Sequence, residues 1–256
     1  MLRSLTELTA RFTSAHVVVL CYHAIRSRER FASQMAVLSE RGYSVLTLPQ
    51  FTEWLNGSAR LAHRASLLTF DHCYAEQLEH AVPVLDALRL PGTFFPVSGG
   101  LSSARPTAAA QWRHTLLELT KAGHTIGCHT HRHAVLTSLS TREIRQEVLA
   151  SKLALEDALG QRVSAFCYPY GAHDARVREV VQEIGFDVAF TVDLGGVTFG
   201  DDPYRLKRAP VMGEPGSVEF GVYLSGTFLV AGAVLLSWKV RERLLDRNAF
   251  GSGRDG

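Results

Sequence analysis

The sequence shows no excess of charge of either sign. Its 27 Lys and Arg residues stand against 25 Asp and Glu, for a formal net charge of +2. That balance leaves no basic footprint for nucleic acid. The small basic excess gathers near the end, as in Lys239-Val240-Arg241-Glu242-Arg243. Long charge blocks and low-complexity tracts are missing too, which argues against disorder. Cysteine is scarce: Cys21, Cys73, Cys128 and Cys167 are the only four. Their spacing fits no zinc finger or CxxC pattern. In a chain this long they predict free thiols and a reducing compartment rather than a disulfide framework. The opening residues, MLRSLTELTARFTSAH, lack the apolar core and small-residue cleavage site of a secretory signal. The expected location is therefore cytoplasmic or peripheral to a membrane. Long apolar runs are also missing, with one exception. Phe220 to Trp238 carries no charge over 19 residues, the length needed to span a bilayer.

What is present is a core. The 256 residues are 46% hydrophobic and 20% charged, enough for one large globular domain. Short β-branched or apolar runs predict seven strands: Val17–Tyr22, Ser66–Phe70, Gly92–Val97, Thr125–Cys128, Ser164–Tyr168, Val188–Thr191 and Arg205–Ala209. Helical periods lie between them, over Phe31–Arg41, Tyr74–Leu88, Thr115–Ala122, Thr141–Leu159 and Asp174–Ile184. Four of these helices stop at Gly42, Gly123, Gly160 and Gly185, a helix-end signal. Ser98 to Ala110 reads as a surface loop. Alternating strand and helix predicts an α/β fold with a parallel sheet. About seven such units suggest a deformed (β/α)7-type barrel. The expected division is a barrel domain over 1–219, then a hydrophobic C-terminal helix and basic tail over 220–256.

Barrels of this kind build their sites at the C-terminal ends of the strands. The reactive residues collect there. His23 follows strand one, Asp71 and His72 end strand two, His129 and His133 follow strand four, and Tyr170 follows strand five. Within Gly127–His133, GCHTHRH, two imidazoles four residues apart share a face if the segment is helical. They can then chelate one metal. Asp71 and His72, in TFDH, add a carboxylate and another imidazole. Three protein ligands with an open water position are the catalytic kind of site. The plainer alternative is a set of solvated histidines and an Asp-His pair capping the next helix.

Taken in order, three motifs make the chain resemble the polysaccharide deacetylase family, the NodB-homology domain of carbohydrate esterase family four. They are Thr69-Phe70-Asp71-His72, then His129-Thr130-His131-Arg132-His133, then Tyr168-Pro169-Tyr170-Gly171. The flanking Leu20-Cys21-Tyr22-His23, LPGTFFPV and Leu206-Lys207-Arg208-Ala209-Pro210-Val211 also look like the family, and the Tyr22-His23 and late Arg208 elements resemble its bacterial branch acting on N-acetylglucosamine polymers. The resemblance implies a hydrolase of carbon–nitrogen bonds that removes N-acetyl groups from an N-acetylated glycan, with a divalent metal, usually Zn2+. It implies Asp71 as general base, His129 and His133 as metal ligands, and Tyr170 as oxyanion donor through its backbone N–H.

Three departures shape the expectation. His72 stands where the family has a metal-binding Asp, so the metal set becomes His72, His129 and His133. The alternative is a lost ligand and a disabled site. Cys167 and Tyr168 stand where many members have an Arg that steers the base; Arg208, at the end of the last strand, is the candidate for that part, the alternative being a surface residue. The family's late acid His is missing. In a closed barrel strand one neighbours the last strand, which makes His23 the candidate general acid. The cysteines read as packing residues. Two rival functions are a glycan-binding pseudo-deacetylase and an amidohydrolase on a small N-acyl substrate. The stretch 220–238 reads either as a membrane contact or as a strand-like Val222–Leu224 followed by a packed helix.

Overall fold

The computed structural model describes residues 16–61, 64–102 and 106–224. The fold is a ring of parallel strands wrapped by helices. Seven strands carry the ring: β1 (His16–Tyr22), β3 (Ala65–His72), β4 (Thr93–Pro96), β5 (Thr125–Ile126), β6 (Ala165–Cys167), β7 (Val188–Leu194) and β9 (Leu206–Pro210). Their order is β5-β4-β3-β1-β9-β7-β6. A parallel bridge between Cys128 and Phe166 joins the two ends, so the barrel is nearly closed. Two short strands sit off this path. β2 (Ser44–Val45) pairs with β3, and β8 (Val197–Thr198) runs antiparallel to β1.

Strand alternation divides the core into two layers. Val17 and Val19 face inward with Leu67, Phe95, Ala165, Cys167, Phe190 and Leu206. Val18, Leu20, Tyr22, Phe70, Phe94 and Phe166 face outward against the helices. The inward set leaves no room at Gly127, where a Cβ would lie 2.3 Å from the Phe95 ring.

The helices are α1 (Arg28–Glu40), α2 (Leu48–Leu55), α3 (Val82–Leu88), α4 (Pro106–Lys121), α5 (Thr141–Leu159), α6 (Ala175–Glu183) and α7 (Ser217–Leu224). Their starts follow capping chemistry. Ser140 and Glu143 form a reciprocal capping box on α5, Thr47 and Gln50 another on α2, and Asp174 caps α6. α2 has no counterpart among the sequence-predicted helices. It places Phe51, Trp54 and Leu55 in the same cluster as the barrel interior, closing the end away from the site. Three other expectations change. The loop read over Ser98–Ala110 contains a 3-10 turn at Ser98–Ser102 and the start of α4 at Pro106, where proline suits a first helical turn. The helix read over Tyr74–Leu88 is a π turn at Gln77–Ala81 followed by α3. The strand-like reading of Val222–Leu224 gives way to α7, with Phe220 and Leu224 buried. Arg41 Nη1 donates to Gly221 O at 3.0 Å, and Tyr43 Oη to Leu224 O at 2.9 Å, tying α7 to the barrel. From position 225 onward, the uncharged stretch and the basic tail lie outside the described residues. Among the described residues no helix is long and apolar enough to cross a membrane.

His124 links β4, α3 and β5. Its Nδ1 accepts the Gly92 N–H at 3.0 Å, which leaves the proton on Nε2, 3.1 Å from Asp86 Oδ1. Burial lowers its pKa below 6.5, and Asp86 opposes this only in part. The unfolded chain therefore takes up this proton more readily than the fold. The resulting stability is full above about pH 6.5 and is lost as pH falls toward the folded value. Between about pH 7.5 and about pH 5, the urea midpoint is expected to fall less in His124→Gln than in wild type. Equal falls would show that this histidine does not carry the acid limb.

Candidate active site

The inward alternation that packs the core also builds the site. Continuing Val17 and Val19 along β1 gives Cys21, and Leu67 and Thr69 along β3 give Asp71. On β6 and β9 the same step gives Cys167 and Arg208. Arg208 is 0% and Asp71 1% exposed, and they form a bidentate pair: Nη1 to Oδ1 and Nη2 to Oδ2, both 2.7 Å. Arg208 Nε donates to Thr191 O at 2.7 Å, Nη1 also reaches Thr69 Oγ1 at 3.2 Å, and Nη2 also reaches Cys167 Sγ at 3.1 Å. All five guanidinium N–H groups thus have acceptors, which is what makes a buried charge tolerable.

Burial alone would raise the Asp71 carboxyl. The Arg208 guanidinium outweighs it and holds the group well below the usual carboxylate range. Two thiols also approach Asp71 Oδ2, Cys21 at 3.6 Å and Cys167 at 3.5 Å. Burial raises both thiol pKa values, and pushes Cys73 up to about 12 and Cys128 to about 11. No disulfide joins the four cysteines. Cys73 and Cys128 pack in the outer core as expected. Cys21 and Cys167 do more than pack, because they flank the carboxylate.

Next to this pair lies the imidazole cluster. Ring nitrogens of His72, His129 and His133 lie within 4.8 Å of one another. His129 Nδ1 donates to Cys167 O at 2.8 Å, which leaves Nε2 as its lone-pair nitrogen, 3.1 Å from His133 Nε2. Burial, then His133, holds His129 well below its ordinary pKa, so it stays neutral. His133 Nδ1 lies 3.2 Å from Tyr170 Oη, and the His72 ring stacks on Tyr74 at 4.6 Å. This donor set fits a zinc-like ion. Tetrahedral ligands at about 2.0–2.1 Å from such an ion are themselves about 3.3 Å apart. A backbone carbonyl orienting the ligand imidazole is the usual outer partner. The segment holding His129 and His133 is not helical. The two rings are brought together by turns, with Thr130 and His133 at φ 65° and 58°.

Positive φ is concentrated here. Among the described residues, His72, Cys73, Thr130, His133 and Tyr170 adopt it, and the one other non-glycine case is Arg89, which ends α3. Each costs about 1–2 kcal/mol for an L residue, and such strain gathers at functional sites. Gly171 is required nearby, since at φ 65° its Cβ would meet Val192 N at 2.7 Å.

His23 sits at the edge, with Nε2 3.6 Å from Asp71 Oδ2 and its ring 5.4 Å from that of His72. β1 pairs with β9, the adjacency used to place His23. Sequence reasoning missed Gln77, which donates from Nε2 to His23 O at 2.6 Å and Asp71 O at 2.8 Å. It also missed Glu147, a buried acid behind the His129–His133 loop. Both lie inside helical segments with no motif to mark them.

The Asp71–Arg208 pair gives a stability prediction. Arg208→Ala leaves a buried carboxylate unpaired and is expected to cost about 3–5 kcal/mol. Pairing Arg208→Met with Asp71→Leu should recover most of that loss, measured by urea unfolding. A loss below about 1 kcal/mol in the single variant would place the pair in contact with water.

A family model described as polysaccharide deacetylase matches residues 59–189, just over half of the chain. YxkH of Bacillus subtilis, whose name carries the same family, is 24% identical over 82% of this chain and 76% of its own. The poly-β-1,6-N-acetyl-D-glucosamine N-deacetylase of Escherichia coli K12 is 24% identical over 73% of this chain. The aligned region is about a third, 34%, of that protein's length. The solved structure of IcaB from Ammonifex degensii superposes with a TM-score of 0.72 at 23% identity, covering 83% of this chain and 98% of that one. The fold, the three motifs in order and this match lead to one conclusion: the chain belongs to the polysaccharide deacetylase family, hydrolases of carbon–nitrogen bonds.

Proposed function

We propose that this protein removes N-acetyl groups from an N-acetylated glycan, and that His72, His129 and His133 hold a divalent metal, most simply Zn2+. One observation carries the reading. The imidazole cluster and the Asp71–Arg208 pair share one end of the barrel, with an Asp71 oxygen and a His129 nitrogen within 4.8 Å. That is the reach of one water between them. Three neutral nitrogen donors suit zinc and disfavour a hard ion such as magnesium. When bound, the metal supplies Lewis acidity, making water a better proton donor and the acetamide carbonyl a better electrophile.

The chain's own residues do the rest. Asp71 takes a proton from the attacking water. Arg208 keeps both its oxygens in place and keeps it ionised. A carboxylate held this way is a weak base, which suits an acidified water. The Tyr170 backbone N–H receives the developing oxyanion. His23 gives a proton to the departing amine, so that water and amide become acetate and amine. Its 3.6 Å separation from Asp71 lets the two exchange that proton between turnovers. The E. coli relative's name specifies a β-1,6-linked N-acetylglucosamine polymer, which makes that polymer the first substrate to try.

Acetate release tests the reading directly. Chelator-treated protein is expected to be inactive on β-1,6-linked N-acetylglucosamine oligomers and to recover with zinc. His23→Ala is expected to lower kcat by about 10²–10⁴-fold with metal content unchanged. Zinc-loaded protein that releases no acetate from any N-acetylated glycan offered would overturn the function. Near-normal turnover in His23→Ala would remove the acid role alone.

A further inference from the structure

We infer that Glu147 is a positioning residue that sets the geometry of the His129–His133 pair from behind. The inference rests on the proposed metal-holding role of those two histidines.

β5 ends at Ile126. Residues 129–133 then follow no regular hydrogen-bond pattern, because Thr130 and His133 take left-handed conformations. The shape of this segment therefore depends on partners outside it, and each of the three residues between the histidines has one. The Ser98 N–H donates to Thr130 O at 3.1 Å, and the Gly99 N–H to His131 O at 2.9 Å. Ser98 Oγ also lies 3.1 Å from His131 Nδ1. These contacts hold the segment from the β4 side.

Arg132 is held from the opposite side. Its backbone N–H donates to Glu147 Oε1, and its Nε donates to Oε2 at 3.0 Å. Glu147 sits on α5, one residue before Val148 and three after Ile144, both fully buried. Its side chain is 2% exposed, whereas that of Arg132 is 70% exposed. A carboxylate at a core position is costly unless it is hydrogen-bonded. The solvent-facing Arg132 side chain gives a weak surface-type pair. The bond to the main-chain N–H is the one that fixes position, because it joins a rigid helix to the residue just before His133. The α5 capping box anchors that helix one turn earlier.

The test is zinc affinity, measured on the full chain by competition with a chelator, together with the visible spectrum of the cobalt(II) form. Glu147→Ala removes the acceptor and is expected to weaken zinc binding about 10–100-fold and to change the cobalt spectrum. Glu147→Gln keeps an oxygen for the Arg132 N–H and should stay within about threefold of wild type. Unfolding midpoints of the metal-free variants, and affinities taken below both transitions, separate local geometry from loss of fold. If too little Glu147→Ala folds, Glu147→Asp, one methylene shorter, should show the same loss. Wild-type affinity and spectrum in Glu147→Ala would overturn the assignment. So would a loss in Glu147→Gln as large as in Glu147→Ala. Both results leave the deacetylase reading standing. A wild-type protein that binds no zinc would remove the zinc-site assignment and this inference with it, while acetate release still decides the deacetylase reading.

Discussion

The buried Asp71–Arg208 pair is the constraint around which the upper barrel is arranged. A guanidinium with no exposed surface is acceptable only if each N–H finds an acceptor, and here the acceptors come from three strands other than its own. Thr69 and Asp71 lie on β3, Thr191 on β7, Cys167 on β6, and Arg208 itself on β9. The pair thus locks together parts of the ring that are distant in sequence. Cys167 couples the lock to the imidazole cluster, since its thiol faces Arg208 while its carbonyl fixes the His129 tautomer. A small side chain at 167 leaves space for a guanidinium arriving from β9.

The cluster beside the pair is built differently. Asp71 and Arg208 sit within strands β3 and β9, where alternation aims them inward. The three histidines and Tyr170 depend on turns, and left-handed φ at His72, His133 and Tyr170 aims those groups. Such backbone needs outside support, which comes from Ser98 and Gly99 on one side and from Glu147 on the other. Rigid strands thus supply the charge pair, and strained, braced turns supply the lone pairs.

This difference explains how much was legible beforehand. All seven ring strands could be read from short apolar runs, because strands buried on both faces leave that mark. The period of two along Leu67, Thr69 and Asp71 points the acid inward, and the adjacency of first and last strands brings Arg208 and His23 to it. The proximity of His129 and His133 was legible, but the helical route to it was wrong, because turns carry the contact. Helix α2 was missed because eight residues, LPQFTEWL, give too few periods to register. The bracing residues Gln77 and Glu147 look like ordinary polar positions until the fold sets them against the backbone of distant strands and loops.

The proposed metal site depends most on His72 as a ligand in place of a carboxylate, with the nearby thiols left protonated. Zinc-edge X-ray absorption of the full chain loaded with one equivalent of zinc tests this directly. A three-imidazole site gives a light-atom shell at about 2.0–2.1 Å, with the outer scattering of three imidazoles and no sulfur. A sulfur shell at about 2.3 Å, or scattering from only two imidazoles, would contradict it.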